Sequence, residues 1–77
     1  MNKKWYTVVE QTNEELQAVY GIAIFEEDQN AIVSELDRID NVTCNKIALE
    51  QLVCRCNSLN LSPIHLDEVI EDFLLDA

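Results

Sequence analysis

The spacing of the apolar residues changes near residue 39, and this change limits the folds that are open to the chain. Before it, the chain is rich in β-branched and aromatic residues; after it, apolar residues recur at intervals of three and four. The first composition is typical of strands, and the second spacing is typical of amphipathic helices. The sequence therefore predicts strands followed by helices.

Three strands are expected in the first part of the chain, at about residues 4–39. Short polar turns at residues 12–15 and 26–30 separate them, which favours an antiparallel meander. The predicted strands are residues 5–9, 17–25 and 31–36. The small residues Gly21 and Ala23 in the second strand indicate either an open face or the close approach of another segment.

Two helices are expected in residues 43–76. Thr43 fits the N-cap of a helix that ends near Ser58, while Ser62 and Pro63 fit the N-cap and first position of a second helix. The apolar faces predicted to pack on the sheet are Leu49, Leu52, Val53 and Cys56 in the first helix, and Leu66, Val69, Ile70, Phe73 and Leu74 in the second. The sequence thus predicts a single α+β domain, a three-stranded meander followed by two helices on one sheet face.

Several apolar residues fall outside this predicted core. Ile47 and Cys54 lie on the outer side of the first helix, and Ile64 and Leu75 lie on the mostly acidic side of the second. With helices on one side only, one set of alternating strand residues is exposed or covered by something else: Trp5, Val19 and Phe25, or Tyr6, Tyr20 and Ile24. Apolar patches of this kind mark interfaces. We therefore expect a homodimer or a complex with another protein.

The charge of the chain narrows the choice of partner. Its 77 residues contain 15 Asp and Glu against 5 Lys and Arg, a net charge of −10. Scattered cations cannot line a phosphate backbone, and anionic membranes repel such a chain, so neither nucleic acid nor membrane is expected as a partner. The acidic strip of Asp67, Glu68, Glu71 and Asp72 predicts a solvated face or a docking surface for a basic partner.

The predicted location is the cytoplasm. The N-terminal residues lack the apolar run of a signal peptide, and no stretch approaches the roughly 18 apolar residues that span a bilayer. In that compartment Cys44, Cys54 and Cys56 would stay reduced.

The sequence contains only weak indications of a metal site or a catalytic site. Cys44, Cys54, Cys56 and His65 are possible zinc ligands, but residues two apart on a helix point about 200° from one another, so Cys54 and Cys56 cannot share a metal on an intact helix. His65 is the only histidine, and Asp67, Glu68 or Asp72 would orient it in acid–base chemistry. A histidine in a first helical turn is more often a packing or capping residue. We expect no catalytic site, metal, cofactor or small-molecule substrate.

Two segments of the sequence resemble a known family. Residues 60–74 read NLSPIHLDEVIEDFL, and Tyr20-Gly21-Ile22 stands in the second predicted strand. Together they are similar to a family of short bacterial proteins, chiefly from Gram-positive anaerobes, that has no assigned function. The family pattern is a Tyr-Gly-Ile-like strand and a Ser-Pro-Ile-His-Leu helix that ends in Glu-Asp-Phe-Leu, and it covers nearly the whole chain. The resemblance implies a cytoplasmic bacterial protein and implies no chemistry.

The predicted function is that of a small acidic interaction or regulatory module, which self-associates or docks to a larger protein. The residues expected to bind the partner are Ile47, Cys54, Ile64, His65, Glu68, Glu71, Asp72 and Leu75. The alternative is a small metal-binding protein or minor enzyme that uses His65 with nearby carboxylates or the cysteines.

Overall fold

A computed structural model describes residues 2–76 and confirms the α+β fold. Three antiparallel strands form one sheet in the order β1-β2-β3, and the helices follow them in the chain. The elements are β1 (Lys3–Thr12), β2 (Ala18–Glu27), β3 (Val33–Thr43), α1 (Lys46–Ser58), a 3₁₀ turn (Pro63–His65) and α2 (Leu66–Asp76).

The third strand differs most from its prediction, because it runs to Thr43 rather than ending near residue 36. Its pairing with β2 shifts register twice, between Tyr20 and Ile22 and between Ile24 and Phe25. Extra residues in a bulge break the alternation of side chains that identifies a strand in the sequence. Residues 37–43 therefore did not indicate a strand.

Gly21 makes room for the larger of the two register shifts, the one between Tyr20 and Ile22. A Cβ atom at this position would lie 2.2 Å from the backbone oxygen of Ile39 and 2.9 Å from the Cα atom of Asp40. The bulged backbone of β3 therefore occupies the space of a side chain. The close approach that the small residues indicated is confirmed at Gly21, and the bulge continues to Asn41, whose φ of 58° is in the left-handed region.

The helix starts are also different in detail from those predicted. Thr43 is not the N-cap of α1: Asn45 is, and its side-chain oxygen accepts a hydrogen bond from the Ala48 N–H at 3.1 Å. The Thr43 hydroxyl oxygen instead accepts from the Asn45 N–H. Ser62 precedes the 3₁₀ turn, with Pro63 at its first position, but its side chain makes no capping hydrogen bond.

The core lies between the helices and one face of the sheet. The predicted face of α1 is confirmed, and α2 contributes Leu66 and Ile70, with Val69 and Phe73 half-buried beside them. Leu74 was expected on this face but is 49% exposed. The buried cluster is Tyr6, Ile22, Ile24, Leu49, Leu52, Val53, Cys56, Leu66 and Ile70.

The second face of the sheet is partly covered by its own side chains. The rings of Trp5 and Phe25 stack with their centroids 6.1 Å apart, and both residues are half-buried. Val19 and Ala23 on this face are buried. The expectation that Val19 would be exposed or covered by something else is therefore wrong, because the chain itself leaves it only 4% exposed.

The turns between β1 and β2 and between β2 and β3 have the same pattern of hydrogen bonds. In the first, the Asn13 N–H donates to the Gln17 carbonyl and the Asn13 side-chain oxygen accepts two further N–H groups. Asp28 makes the equivalent bonds in the second. Each turn then places one residue, Leu16 or Ala31, at a φ of 62°. This conformation is unfavourable for a residue with a Cβ atom, whereas glycine adopts it readily.

We expect Ala31→Gly to stabilise the protein, because glycine adopts the left-handed conformation of residue 31 without the cost of about 1 kcal/mol that a Cβ atom incurs. The free energy of unfolding in urea should rise by up to about 0.6 kcal/mol, because the greater entropy of the unfolded glycine offsets roughly 0.4–1 kcal/mol of this gain. Ala23→Gly is the matched control: in the middle of β2 the same change should be destabilising. A loss of stability in both variants would contradict the assignment of strain to residue 31.

Candidate protein-binding surfaces

Six of the predicted partner-binding residues lie together on α2 and the turn before it. Ile64, Glu68, Glu71, Asp72 and Leu75 recur at helical intervals on the side away from the core, and we call this set the outer face of α2. Ile64 is 80% and Leu75 is 83% exposed. His65 is beside them, with its Nδ1 atom 3.9 Å from the Glu68 Oε2 atom. The outer face of α2 is thus an acidic strip with an exposed apolar residue at each end.

An apolar groove separates α1 from α2. It has a volume of about 380 Å³, and Gln51, Arg55 and Asp72 contribute its polar lining. Asp72 also belongs to the outer face of α2, so the two surfaces are continuous. The apolar lining is Ala48, Leu52, Cys56, Leu59, Leu61, Val69 and Phe73. We call it the interhelical groove.

Sequence reasoning missed the part of this groove that Leu59 and Leu61 form. Both residues follow the end of α1, where the Leu61 N–H donates to the carbonyl of Cys56. Leu59 is 69% exposed although it is large and apolar. The sequence contained one signal of this: two leucines flank Asn60 in a polar loop, where a simple connection needs neither.

The two predicted residues of α1 lie elsewhere. Cys54 lines a second groove, about 590 Å³ in volume, between α1 and β1. Ile47 is 70% exposed and lines neither groove. The predicted set is therefore divided between α1 and α2 and does not form one patch.

Tyr20 lines the groove between α1 and β1 and has a raised pKa. Desolvation raises the pKa of its hydroxyl, and a hydrogen bond to Glu10 and the charges of Glu10, Cys44 and Glu50 raise it further. The Lys46 ammonium lies 5.9 Å from the centre of the Tyr20 ring, within the range of a cation–π contact. The result is a protonated tyrosine that donates to a carboxylate, which is a structural arrangement and not that of an activated nucleophile.

The cysteines do not converge. Cys44 and Cys54 are exposed and Cys56 is buried, which places the last two on different sides of α1. Burial raises the pKa of the Cys56 thiol, although Arg55 opposes this, so the thiolate form is disfavoured. Within residues 2–76, no cluster of three or more His, Cys, Asp or Glu side chains is arranged to hold a metal ion.

Asn57 joins α1 to the free edge of β1. The Tyr6 N–H donates to the Asn57 Oδ1 atom at 2.7 Å, and the Asn57 Nδ2 group donates to the Tyr6 carbonyl at 3.0 Å. One side-chain amide thus makes the two bonds that an opposing residue makes in an antiparallel sheet. We call this pair of bonds the Asn57 clamp.

These features define a small α+β protein, a β-meander covered on one face by helices and bearing an acidic, partly apolar helix surface. The chain belongs to a family of unknown function (DUF6514), whose model matches residues 1–76. This confirms the resemblance to a family without an assigned function, while a bacterial, Gram-positive origin stays a prediction. No curated protein and no solved structure matches the chain. None of the helices in the described part of the chain is both long and apolar enough to cross a membrane.

We expect Asn57→Ala to lower the free energy of unfolding by about 1–2 kcal/mol, because both hydrogen bonds of the clamp are lost and the Tyr6 backbone depends on water instead. Urea denaturation at neutral pH measures the change. Ser58→Ala, an exposed neighbour on the same helix, is the control and should alter stability by less than about 0.5 kcal/mol. Equal effects of the two substitutions would show that the clamp contributes nothing.

The stability of the protein should fall above pH 10 through Tyr6. Burial, and secondarily Cys56, raises the pKa of its hydroxyl above the ordinary value of 10.0. The unfolded chain therefore loses this proton first, so the contribution is complete below pH 10.0 and is lost as the pH rises towards the folded-state pKa. Tyr6→Phe should remove this part of the pH dependence. At pH 7 it should also cost about 1 kcal/mol, since the hydroxyl no longer donates to the Leu61 carbonyl.

Proposed function

We propose that this protein is an acidic interaction module that docks to a basic segment of a larger protein. The docking surface is the interhelical groove together with the adjoining outer face of α2. The observation that carries the proposal is that this apolar groove is continuous, through Asp72, with a helix face that exposes Ile64 and Leu75 among acidic residues. A small soluble protein gains nothing from such exposure unless another molecule covers it.

Charge favours a basic partner. The sequence of α2 contains Asp67, Glu68, Glu71, Asp72 and Asp76 and no Lys or Arg. Opposite charge on a partner would raise the rate of association and fix its orientation, while the apolar groove would supply most of the affinity. A segment with apolar residues on one side and Lys or Arg on the other has the chemistry that this surface recognises.

The same charge argues against self-association through this surface. Two copies each carry a net charge of −10, and a symmetric contact between outer faces of α2 would oppose their carboxylates. A homodimer was one of the two expectations from the sequence. Of the two, docking to a different, basic protein is the one that the distribution of charge supports.

The proposed location is the cytoplasm. The exposed thiols of Cys44 and Cys54 suit a reducing compartment, in which they would not be oxidised to intermolecular disulfides. A regulatory role would follow from the docking itself, because a bound module occupies or blocks a surface of its partner. The alternative function is metal binding or catalysis through His65 or the cysteines. The cysteines give it no support, because Cys54 is exposed and Cys56 is buried, and Glu68 approaches His65 no closer than 3.9 Å.

The test is native mass spectrometry of untagged protein purified from its source cells, followed by affinity measurements with the retained partner. Leu59→Asp and Leu75→Asp should each weaken the complex at least tenfold, because they place a charge in the groove or on the outer face of α2. The matched control is Leu16→Asp: Leu16 is 85% exposed but lies in the turn between β1 and β2, so the affinity should not change.

Salt and charge reversal complete this test. Raising the ionic strength, or the double change Glu68→Lys with Asp72→Lys, should also weaken the complex if its partner is basic. A doubled mass without a second protein would contradict the proposal in favour of a homodimer. A complex that Leu59→Asp and Leu75→Asp leave intact would exclude this surface.

A further inference from the structure

The two edges of the sheet differ in how they are protected. β3 forms one edge, and its two register shifts disturb the regular row of backbone groups that another strand would need. β1 forms the other edge and pairs with β2 over ten consecutive positions without a shift. A long, regular edge strand is a template for a further strand unless something covers it.

The Asn57 clamp shows which backbone groups of β1 point outward. Because Tyr6 bonds to Asn57 through both its N–H and its carbonyl, these two groups face away from β2. The register of β1 is unshifted, so every second residue has the same orientation. The N–H and carbonyl groups of Val8, Glu10 and Thr12 therefore also face the outer edge, and the clamp covers Tyr6 alone.

A groove runs beside this outward edge. It is the space of about 590 Å³ between α1 and β1, and Val8 and Glu10 line it from the strand. Glu50, Val53 and Cys54 line it from the helix. A groove between an edge strand and a helix is a form that accepts an extended peptide, since the strand supplies backbone bonds and the groove accepts alternate side chains.

We propose that residues 8–12 of β1 bind an extended segment of another protein as a fourth strand. The bound segment would place an apolar side chain opposite Val8 and a Lys or Arg side chain opposite Glu10, two positions apart on the same face. Cross-strand pairs of these kinds are the favourable ones. The Asn57 clamp sets one end of the site, because it already fills the bonding positions of Tyr6.

Electrostatics determines that the segment is basic and comes from a different protein. Glu10 is the middle residue of the open stretch, so antiparallel pairing with the same stretch of a second copy would place Glu10 against Glu10. Like charges directly opposite each other are destabilising. Lys46 and Glu50 also line the groove, and their charged groups lie 3.8 Å apart, so the two charges offset each other and Glu10 sets the charge of the site.

The test is a titration of isotope-labelled protein with short capped peptides, followed by amide NMR signals. The probes are the peptide Thr-Lys-Thr-Val-Thr, which in antiparallel pairing places Lys opposite Glu10 and Val opposite Val8, and its counterpart with Glu in place of Lys. The Lys peptide should shift the signals of Val8 and Glu10 and bind at least tenfold more tightly than the Glu peptide. In the variant Glu10→Lys the preference should reverse, a gain of binding that damage to the fold cannot produce.

Backbone pairing is tested on the peptide, so the protein stays intact. N-methylation of the Val residue that faces Val8 removes the N–H that would bond to β1 and should abolish binding. N-methylation of the preceding Thr, whose N–H points away from β1, should leave the affinity within about twofold, since strand alternation directs it to solvent. Equal effects of the two methylations would overturn the proposal.

Other results of the peptide titration would also contradict the binding of a fourth strand to β1. Equal affinity of the Lys and Glu peptides, shifts confined to α2, or no shifts at about 1 mM peptide would each overturn the proposal. The variant Leu59→Asp separates this site from the interhelical groove: it should leave peptide binding to β1 unchanged. Failure of either site in its own test therefore leaves the other standing.

Discussion

Tyr6 holds the helices on the sheet, and the rest of the structure depends on this attachment. Its ring is in the core, its hydroxyl donates to the Leu61 carbonyl at 2.7 Å, and its backbone is bound by Asn57. One residue of β1 thus contacts both α1 and the segment that leads to α2. In a chain of 77 residues, where a single core supplies only a few kcal/mol of net stability, such a concentration of contacts fixes the position of both helices.

The attachment also decides which surfaces are free. Because the Leu61 carbonyl is bound to Tyr6, the loop after α1 is held against the sheet and Leu59 remains exposed beside the interhelical groove. Because Asn57 bonds to β1 at one residue only, the edge beyond Tyr6 is accessible along the groove with α1. Both proposed docking sites are therefore consequences of how α1 is anchored.

The sequence predicted what depends on periodicity and failed where backbone geometry decides. Leu49, Leu52, Val53 and Cys56 were found on the core face of α1 because 3.6-residue spacing survives in a regular helix. The second half of β3 was missed, since a bulge against Gly21 and the left-handed Asn41 interrupt its alternation. Asn57 gave no signal, because a polar residue on an exposed helix side looks the same whether it meets water or a strand edge.

The acidic character of the chain connects its two proposed sites. The outer face of α2 and the edge of β1 are built from different elements, yet both combine exposed apolar groups with carboxylates. For β1 the middle carboxylate prevents pairing between copies, and for α2 the row of carboxylates opposes a symmetric contact. We propose that the net charge of −10 disfavours association between identical chains and favours a basic partner at either site. A partner that offers an amphipathic helix and a neighbouring extended segment would fit both sites of one molecule, and the linkage would raise its affinity above that for either site alone.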